Sequence, residues 1–216
     1  MIALSPKPGQ NPRMNQPLVE IVPPAYDVLI DIRYATDRNF TGKPVYGRGA
    51  CYLHPEAAVC LKEAIRLAEV IGYRIKIFDA YRPTEAQWKL WEHTPDPDFL
   101  ADPNRGSPHS RGVAIDLTLT LPDGTELDMG TPFDAFQIES HHGNPNVSAE
   151  AQRNRHLLMG IMTTAGWDFY RNEWWHYQLF NSRNYPLLSD EEAETGMMKS
   201  SSGLEKQVNK ILNIFR

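Results

Sequence analysis

The run Val113-Ala114-Ile115-Asp116-Leu117-Thr118-Leu119 alternates like a β-strand and carries a carboxylate at its centre. With a period of two, Val113, Ile115, Leu117 and Leu119 share one face, and Asp116 and Thr118 share the other. Asp116 is thus aimed away from the apolar face. A carboxylate in so apolar a strand has to be exposed, paired or bound to a cation, because an isolated buried charge is very costly. His109 lies seven residues earlier, on a loop where Pro108 and Gly112 shape the backbone and can turn the imidazole back toward Asp116.

A second segment, Glu173-Trp174-Trp175-His176, adds another imidazole and a spare carboxylate. On a helix Glu173 and His176 would share a face, but the aromatic density of Trp174 to Phe180 favours a strand. In a regular strand, residues three apart point to opposite faces. Glu173 is therefore expected on a turn or bulge just before the strand, with Asn172 as a suitable turn residue. Taken together, His109, Asp116 and His176 read as three ligands of a catalytic zinc with a fourth position left for water, and Glu173 as the group that takes that water's proton. A lone histidine is more often a surface or satisfied core residue, so His54, His93, His141, His142 and His156 are given no role.

These residues resemble a known family. The Ser-x-His-x-x-Gly-x-Ala-x-Asp pattern from Ser107 to Asp116 and the Glu-x-Trp-His pattern from Glu173 are similar to those of the zinc D-Ala-D-Ala-directed peptidases that share a fold with the hedgehog signalling domain. Asp31-Ile32-Arg33-Tyr34-Ala35-Thr36, Asn39-Phe40-Thr41-Gly42, Asp79-Ala80-Tyr81-Arg82-Pro83 and Met129-Gly130-Thr131-Pro132-Phe133-Asp134 narrow the resemblance to the VanX-type D-alanyl-D-alanine dipeptidases. It runs from about Tyr26 to Pro186, with no departure at a catalytic position. It implies zinc on His109, Asp116 and His176, one ion per chain, with Glu173 as general base and then acid to the leaving amine. It implies Arg82 as the stabiliser of the oxyanion, and Asp134, Ser107 and Tyr34 as the pocket for the substrate ammonium.

The residues alone leave several of these roles open. By residue chemistry alone Arg82 reads as a surface arginine on a loop, and only the family motif turns it toward the oxyanion; Asp134 can instead cap a short helix beginning at Ala135-Phe136, and Ser107 can instead satisfy loop backbone. Three functions follow as expectations. The first is hydrolysis of the dipeptide D-alanyl-D-alanine, a small D-amino-acid substrate. A D,D-carboxypeptidase or endopeptidase acting on peptidoglycan stem peptides is the alternative. The third, a binding module without catalysis, conflicts with the presence of both Glu173 and Arg82.

Composition sets the frame. A chain of 216 residues, 41% hydrophobic, can bury one substantial core, and one domain is expected over 21–189. The net charge of −5 is dispersed, with no basic stripe to meet nucleic acid. No apolar run approaches the roughly 20 residues of a membrane span. Residues 1–20 begin with a proline-bearing stretch that lacks a signal peptide's apolar core, and are expected to be flexible. That makes a cytoplasmic protein with reduced Cys51 and Cys60 the expectation. Oligomeric state is left open.

The pattern predicts an α+β fold, a central and mainly antiparallel sheet flanked by helices, as in the hedgehog-like peptidases it resembles. Strands are expected at Tyr26 to Ile32, Tyr73 to Phe78, Gly112 to Leu119, Thr125 to Asp128 and Trp174 to Phe180, with Leu121 to Gly124 turning a hairpin. Helices are expected at Pro55 to Ile71, Thr84 to Glu92 and Ala149 to Ala165. Residues 190–216 read as a tail, acidic at Asp190 to Glu194 and with helical spacing from Leu204 to Phe215.

Overall fold

The computed structural model describes residues 16–199. Five strands form the main sheet: β2 (Val28–Ile30), β4 (Arg74–Asp79), β5 (Ala114–Thr120), β6 (Asp168–Phe169) and β7 (His176–Gln178), in the spatial order β2-β4-β5-β7-β6. Every pairing is antiparallel except β2 with β4. A separate two-stranded ribbon joins β1 (Val19–Glu20) to β3 (Tyr52–Leu53). The helices are α1 (Pro55–Val70), α2 (Thr84–His93), α3 (Ala149–Thr164) and the single turn α4 (Asp190–Ala193). The chain is thus α+β, with a mixed sheet flanked by helices.

The helix boundaries follow local chemistry. Pro55 opens α1, where its missing N–H is no loss, and the His54 side chain accepts from the Glu56 amide. Ala57, Ala58, Leu61, Ala64, Ile65 and Ala68 recur three or four residues apart and are buried, which lays α1 against β4 and α3. Ser148 caps α3 by accepting from the Ala151 amide, and Gly166 ends it at φ +98°, a conformation that a Cβ disfavours.

Every residue of β5 is buried, so the strand is covered on both faces. β4 and β5 pair from Arg74 opposite Thr120 to Ile77 opposite Leu117, and then the register slips. Phe78 is the extra residue, and Asp79 comes to stand opposite Asp116. On the other edge of β5, Asp116 pairs with His176. Directly paired residues present their side chains to one face. Asp79, Asp116 and His176 therefore form a polar row across three adjacent strands of the sheet.

Several expected elements differ. Thr125 to Asp128 is not a strand: Glu126 makes an isolated bridge to Thr120, and the Asp128 carboxylate is turned onto the Gly130 amide in a local turn. The strand expected from Trp174 to Phe180 shortens to His176–Gln178, because the tryptophans belong to the preceding turn. The stretch from Asp190 to Met198, expected in the tail, packs onto the body. Buried Asp190 accepts from the Thr195 hydroxyl and from the Met197 and Met198 amides, and Met197 is fully buried. At the other end, β1 ties Val19 and Glu20 to the ribbon, inside the stretch expected to be flexible. The helical spacing from Leu204 to Phe215 and the start of the N-terminal segment lie outside the described residues. Among the described residues no helix is long and apolar enough to cross a membrane.

Candidate active site

His109 starts a single 3-10 turn, His109–Arg111, just before β5. That turn closes at Gly112 with φ +66°, and a Cβ there would lie 2.7 Å from Leu18 Cδ2 and 3.2 Å from the His54 amide nitrogen. Only glycine fits the turn that brings His109 back over Asp116. The donor atoms converge: His109 Nε2 lies 3.1 Å from His176 Nδ1 and 3.3 Å from Asp116 Oδ1, and His176 Nδ1 lies 3.1 Å from Asp116 Oδ1. All three residues are buried.

The remaining ring nitrogens identify which atoms are free to bind a cation. His109 Nδ1 lies 2.6 Å from the Ala80 carbonyl, which only accepts, so Nδ1 carries a proton and Nε2 is the atom turned toward Asp116 and His176. His176 Nε2 lies 3.2 Å from Gln178 Oε1, which fixes the other tautomer and leaves Nδ1 facing His109 and Asp116. Two imidazoles and one carboxylate with such outer partners suit a divalent metal. Tetrahedral zinc with ligands at about 2.0–2.1 Å needs donor separations of roughly 3.3 Å, close to those observed.

Glu173 occupies the turn expected of it. Its amide donates to the Tyr170 carbonyl and its own carbonyl accepts from the His176 amide. Its Oε2 lies 3.8 Å from His176 Nδ1, and the residue is 6% exposed. Burial holds the Glu173 carboxyl well above the usual carboxylate range; the Asp116 charge adds to this and Arg82 opposes it. A carboxylate so raised is a better proton acceptor near neutral pH.

Arg82 is no surface arginine. It is buried, with Nε donating to Asp79 Oδ2 at 2.9 Å and Nη1 to Gln87 Oε1 at 2.9 Å, while Nη2 lies 3.6 Å from Asp116 Oδ2. Tyr34 supports the guanidinium from below, its ring centroid 4.9 Å from Cζ. Asp134 caps no helix, since the next helical turn is a 3-10 turn at Ile138–Ser140. It sits instead at φ +60°, a strained conformation for a residue with a side chain. Tyr34 donates to Asp134 Oδ1 at 3.1 Å, and Oδ2 is shielded from solvent with no hydrogen-bond partner among the described residues. Burial, and then the charge of Asp116, raises the Asp134 carboxyl well above its ordinary range. Ser107 accepts from the His109 amide at 3.2 Å, so it satisfies loop backbone as well as lining the pocket.

All eight anticipated residues line or border one cavity of about 210 Å³. Asp79, Gln87 and Gln178 were not anticipated. Gln178 was findable, because it lies two residues beyond His176 on the same strand face. Asp79 depends on the bulge at Phe78, and Gln87 on a packing that brings α2 beside Arg82. Neither leaves a local signal.

Residues 14–192 match the family model described as D-ala-D-ala dipeptidase. The chain is 46% identical over 165 residues to a D-alanyl-D-alanine dipeptidase of Escherichia coli (strain K12), covering 76% of this chain and 86% of that protein. It is 38% identical over 175 residues to a D-alanyl-D-alanine dipeptidase of Enterococcus faecium, covering 71% and 87%. Among solved structures, a zinc complex of a mutant vancomycin-resistance D,D-pentapeptidase, VanY, aligns with 15% identity and a TM-score of 0.41, covering 68% of this chain and 86% of that one. By the extent of the model match and by these identities over most of its relatives' length, the chain belongs to the D-ala-D-ala dipeptidase family.

Proposed function

We propose that the protein is a zinc-dependent dipeptidase that hydrolyses free D-alanyl-D-alanine to two D-alanines. One observation carries this reading: the His109–Asp116–His176 donor set shares a single small cavity with the buried carboxyl of Glu173 and the unpartnered Oδ2 of Asp134. Zinc held by His109, Asp116 and His176 would supply Lewis-acid charge and lower the pKa of a bound water. Glu173 takes the proton from the attacking water and passes it to the leaving amine as the peptide bond breaks. Arg82, fixed through Asp79 and Gln87, offers its Nη2 edge to the developing oxyanion.

Asp134 receives the substrate ammonium, assisted by Ser107 and Tyr34, and so measures the distance from a free amino terminus to the scissile carbonyl. The cavity is smaller than the roughly 300–1,000 Å³ of pockets for drug-sized ligands, which favours a dipeptide over a stem peptide. The test is D-alanine release by the zinc-loaded protein from D-alanyl-D-alanine, from its N-acetyl form and from a stem pentapeptide. Cleavage of the free dipeptide alone is expected. Asp134→Asn should lower kcat/KM on that dipeptide by about 10–100-fold, the scale of one hydrogen bond to a charged group. Equal cleavage of the blocked or longer substrates would instead assign a carboxypeptidase or endopeptidase.

A further inference from the structure

The amide of Gln87 is buried and both of its ends are engaged. Oε1 accepts from Arg82 Nη1, and Nε2 donates to the Ala101 carbonyl at 2.7 Å. Ala101 belongs to the connection between α2 and His109, and Pro97, Phe99 and Leu100 of that connection form one wall of the cavity. The same wall is fastened at two other places. The Asp98 carbonyl accepts from the Tyr170 hydroxyl at 3.2 Å and from Asn172 Nδ2 at 3.3 Å, both on the turn that carries Glu173. Phe99 stacks on Phe136, with ring centroids 5.0 Å apart and planes 8° apart, two residues beyond Asp134.

Arg82 shows why the first fastening matters. A guanidinium is a planar fork, so one anchored nitrogen leaves it free to swing and two fix its plane. Asp79 anchors Nε and Gln87 anchors Nη1, which leaves Nη2 as the edge directed toward Asp116 and the donor set. We propose that Gln87 is a positioning residue with two separable duties: its oxygen aims Arg82 at the oxyanion, and its nitrogen seats the 97–101 wall against the substrate. The inference rests on the dipeptidase reading. It places control of oxyanion stabilisation on α2, a helix that contributes no group to the reacting atoms.

Gln87→Leu removes both duties at similar volume, whereas Gln87→Glu keeps an acceptor for Arg82 and loses the donor to Ala101. The leucine variant is expected to lower kcat by about 10–100-fold, short of or equal to the loss from deleting an oxyanion donor outright. It is also expected to weaken a tetrahedral phosphinate analogue of the dipeptide by a matching factor, since such an analogue reports transition-state binding. The glutamate variant is expected to hold kcat within about threefold and to raise KM, the split between transition-state and uniform binding.

The proposal is overturned if Gln87→Leu leaves kcat and phosphinate affinity unchanged, or if Gln87→Glu loses as much kcat as Gln87→Leu, which would assign Gln87 to packing. If the leucine variant does not fold, the glutamate variant decides alone: kcat retained with raised KM supports the proposal, and kcat lost overturns it. Wild-type protein assayed alongside separates the two levels of inference. Wild-type protein inert on the dipeptide overturns the functional reading and this proposal together, whereas active wild type with unaffected variants overturns this proposal only.

Discussion

Glu173 presents an acid to the donor set from a turn rather than from a strand, and that choice can be tested at the level of one atom. Gln in its place keeps the shape and loses the proton acceptor. Glu173→Gln is expected to lower kcat by about 10²–10⁴-fold, the usual contribution of a positioned general base. Zinc content by elemental analysis should stay at one per chain, because Glu173 lies outside the three converging donors. Loss of zinc together with activity would move Glu173 into the ligand set. His142 gives a second test at this scale. Burial first, then the nearby charges of Arg155 and His156, lowers its pKa from the ordinary 6.5 to about 4, and among the described residues neither ring nitrogen has a hydrogen-bond partner. The folded state thus prefers neutral His142, and between pH 6.5 and 4 the unfolded chain binds more protons. Stability from this residue is fully present above pH 6.5 and falls as the pH drops toward 4, by up to about 3 kcal/mol. His142→Gln should flatten that part of the pH profile of urea unfolding; an unchanged profile would assign the acid sensitivity elsewhere.

At the level of elements, a single cation of α3 organises the loop that carries Asp134. Arg155 is buried and donates from Nε to the Met129 carbonyl at 2.7 Å and from Nη1 to the Glu139 and His141 carbonyls at 2.9 and 3.0 Å. Arg155→Met would leave these carbonyls without that donor and is expected to cost about 3 kcal/mol by urea unfolding, with KM for the dipeptide rising as Asp134 loses its setting. A loss below about 0.5 kcal/mol would show that water replaces the guanidinium. The elements also explain what the residues alone could convey. The ends of α1 and α3 were legible because Pro55, Ser148 and Gly166 act locally. So was the donor set, where residue type and spacing coincide in His109, Asp116 and His176. The bulge at Phe78 was not legible, since an extra residue in one strand shows only against its partner strand. The short β1, β3 and β6 were missed because two residues carry no periodicity. Asp134 left two readings open, as an aspartate followed by Ala135-Phe136 resembles a cap until the chain is seen to turn at positive φ.

For the molecule as a whole, the three donors join the turn before β5, β5 itself and β7, with His176 60 residues along the chain from Asp116. A cation there is coupled to the folded state, because the unfolded chain cannot gather the same donors. At a free zinc concentration 100 times its dissociation constant the stabilisation is about 2.7 kcal/mol. For a protein of this size each kcal/mol raises Tm by roughly 2–4 °C. Chelation should therefore lower Tm by about 5–10 °C and zinc should restore it, while Asp116→Ala should abolish the response. A Tm indifferent to chelator would mean that the donors are held apart from any ion.

The polar row is woven into the ladder, where the Leu117 amide donates to the Trp175 carbonyl at 3.1 Å and the Leu179 amide to Val113 at 2.8 Å. The wall from Pro97 to Ala101 belongs to no strand: its Phe99 and Leu100 amides donate locally to the Asp96 carbonyl, and side chains of Gln87, Tyr170, Asn172 and Phe136 fasten it to the body. Amide hydrogen exchange would then divide the cavity into two lifetimes. The Leu117 and Leu179 amides exchange only when the sheet itself opens, whereas the wall trades its protons with water in local excursions. One half of the site is as old as the folded molecule, and the other is renewed with each opening.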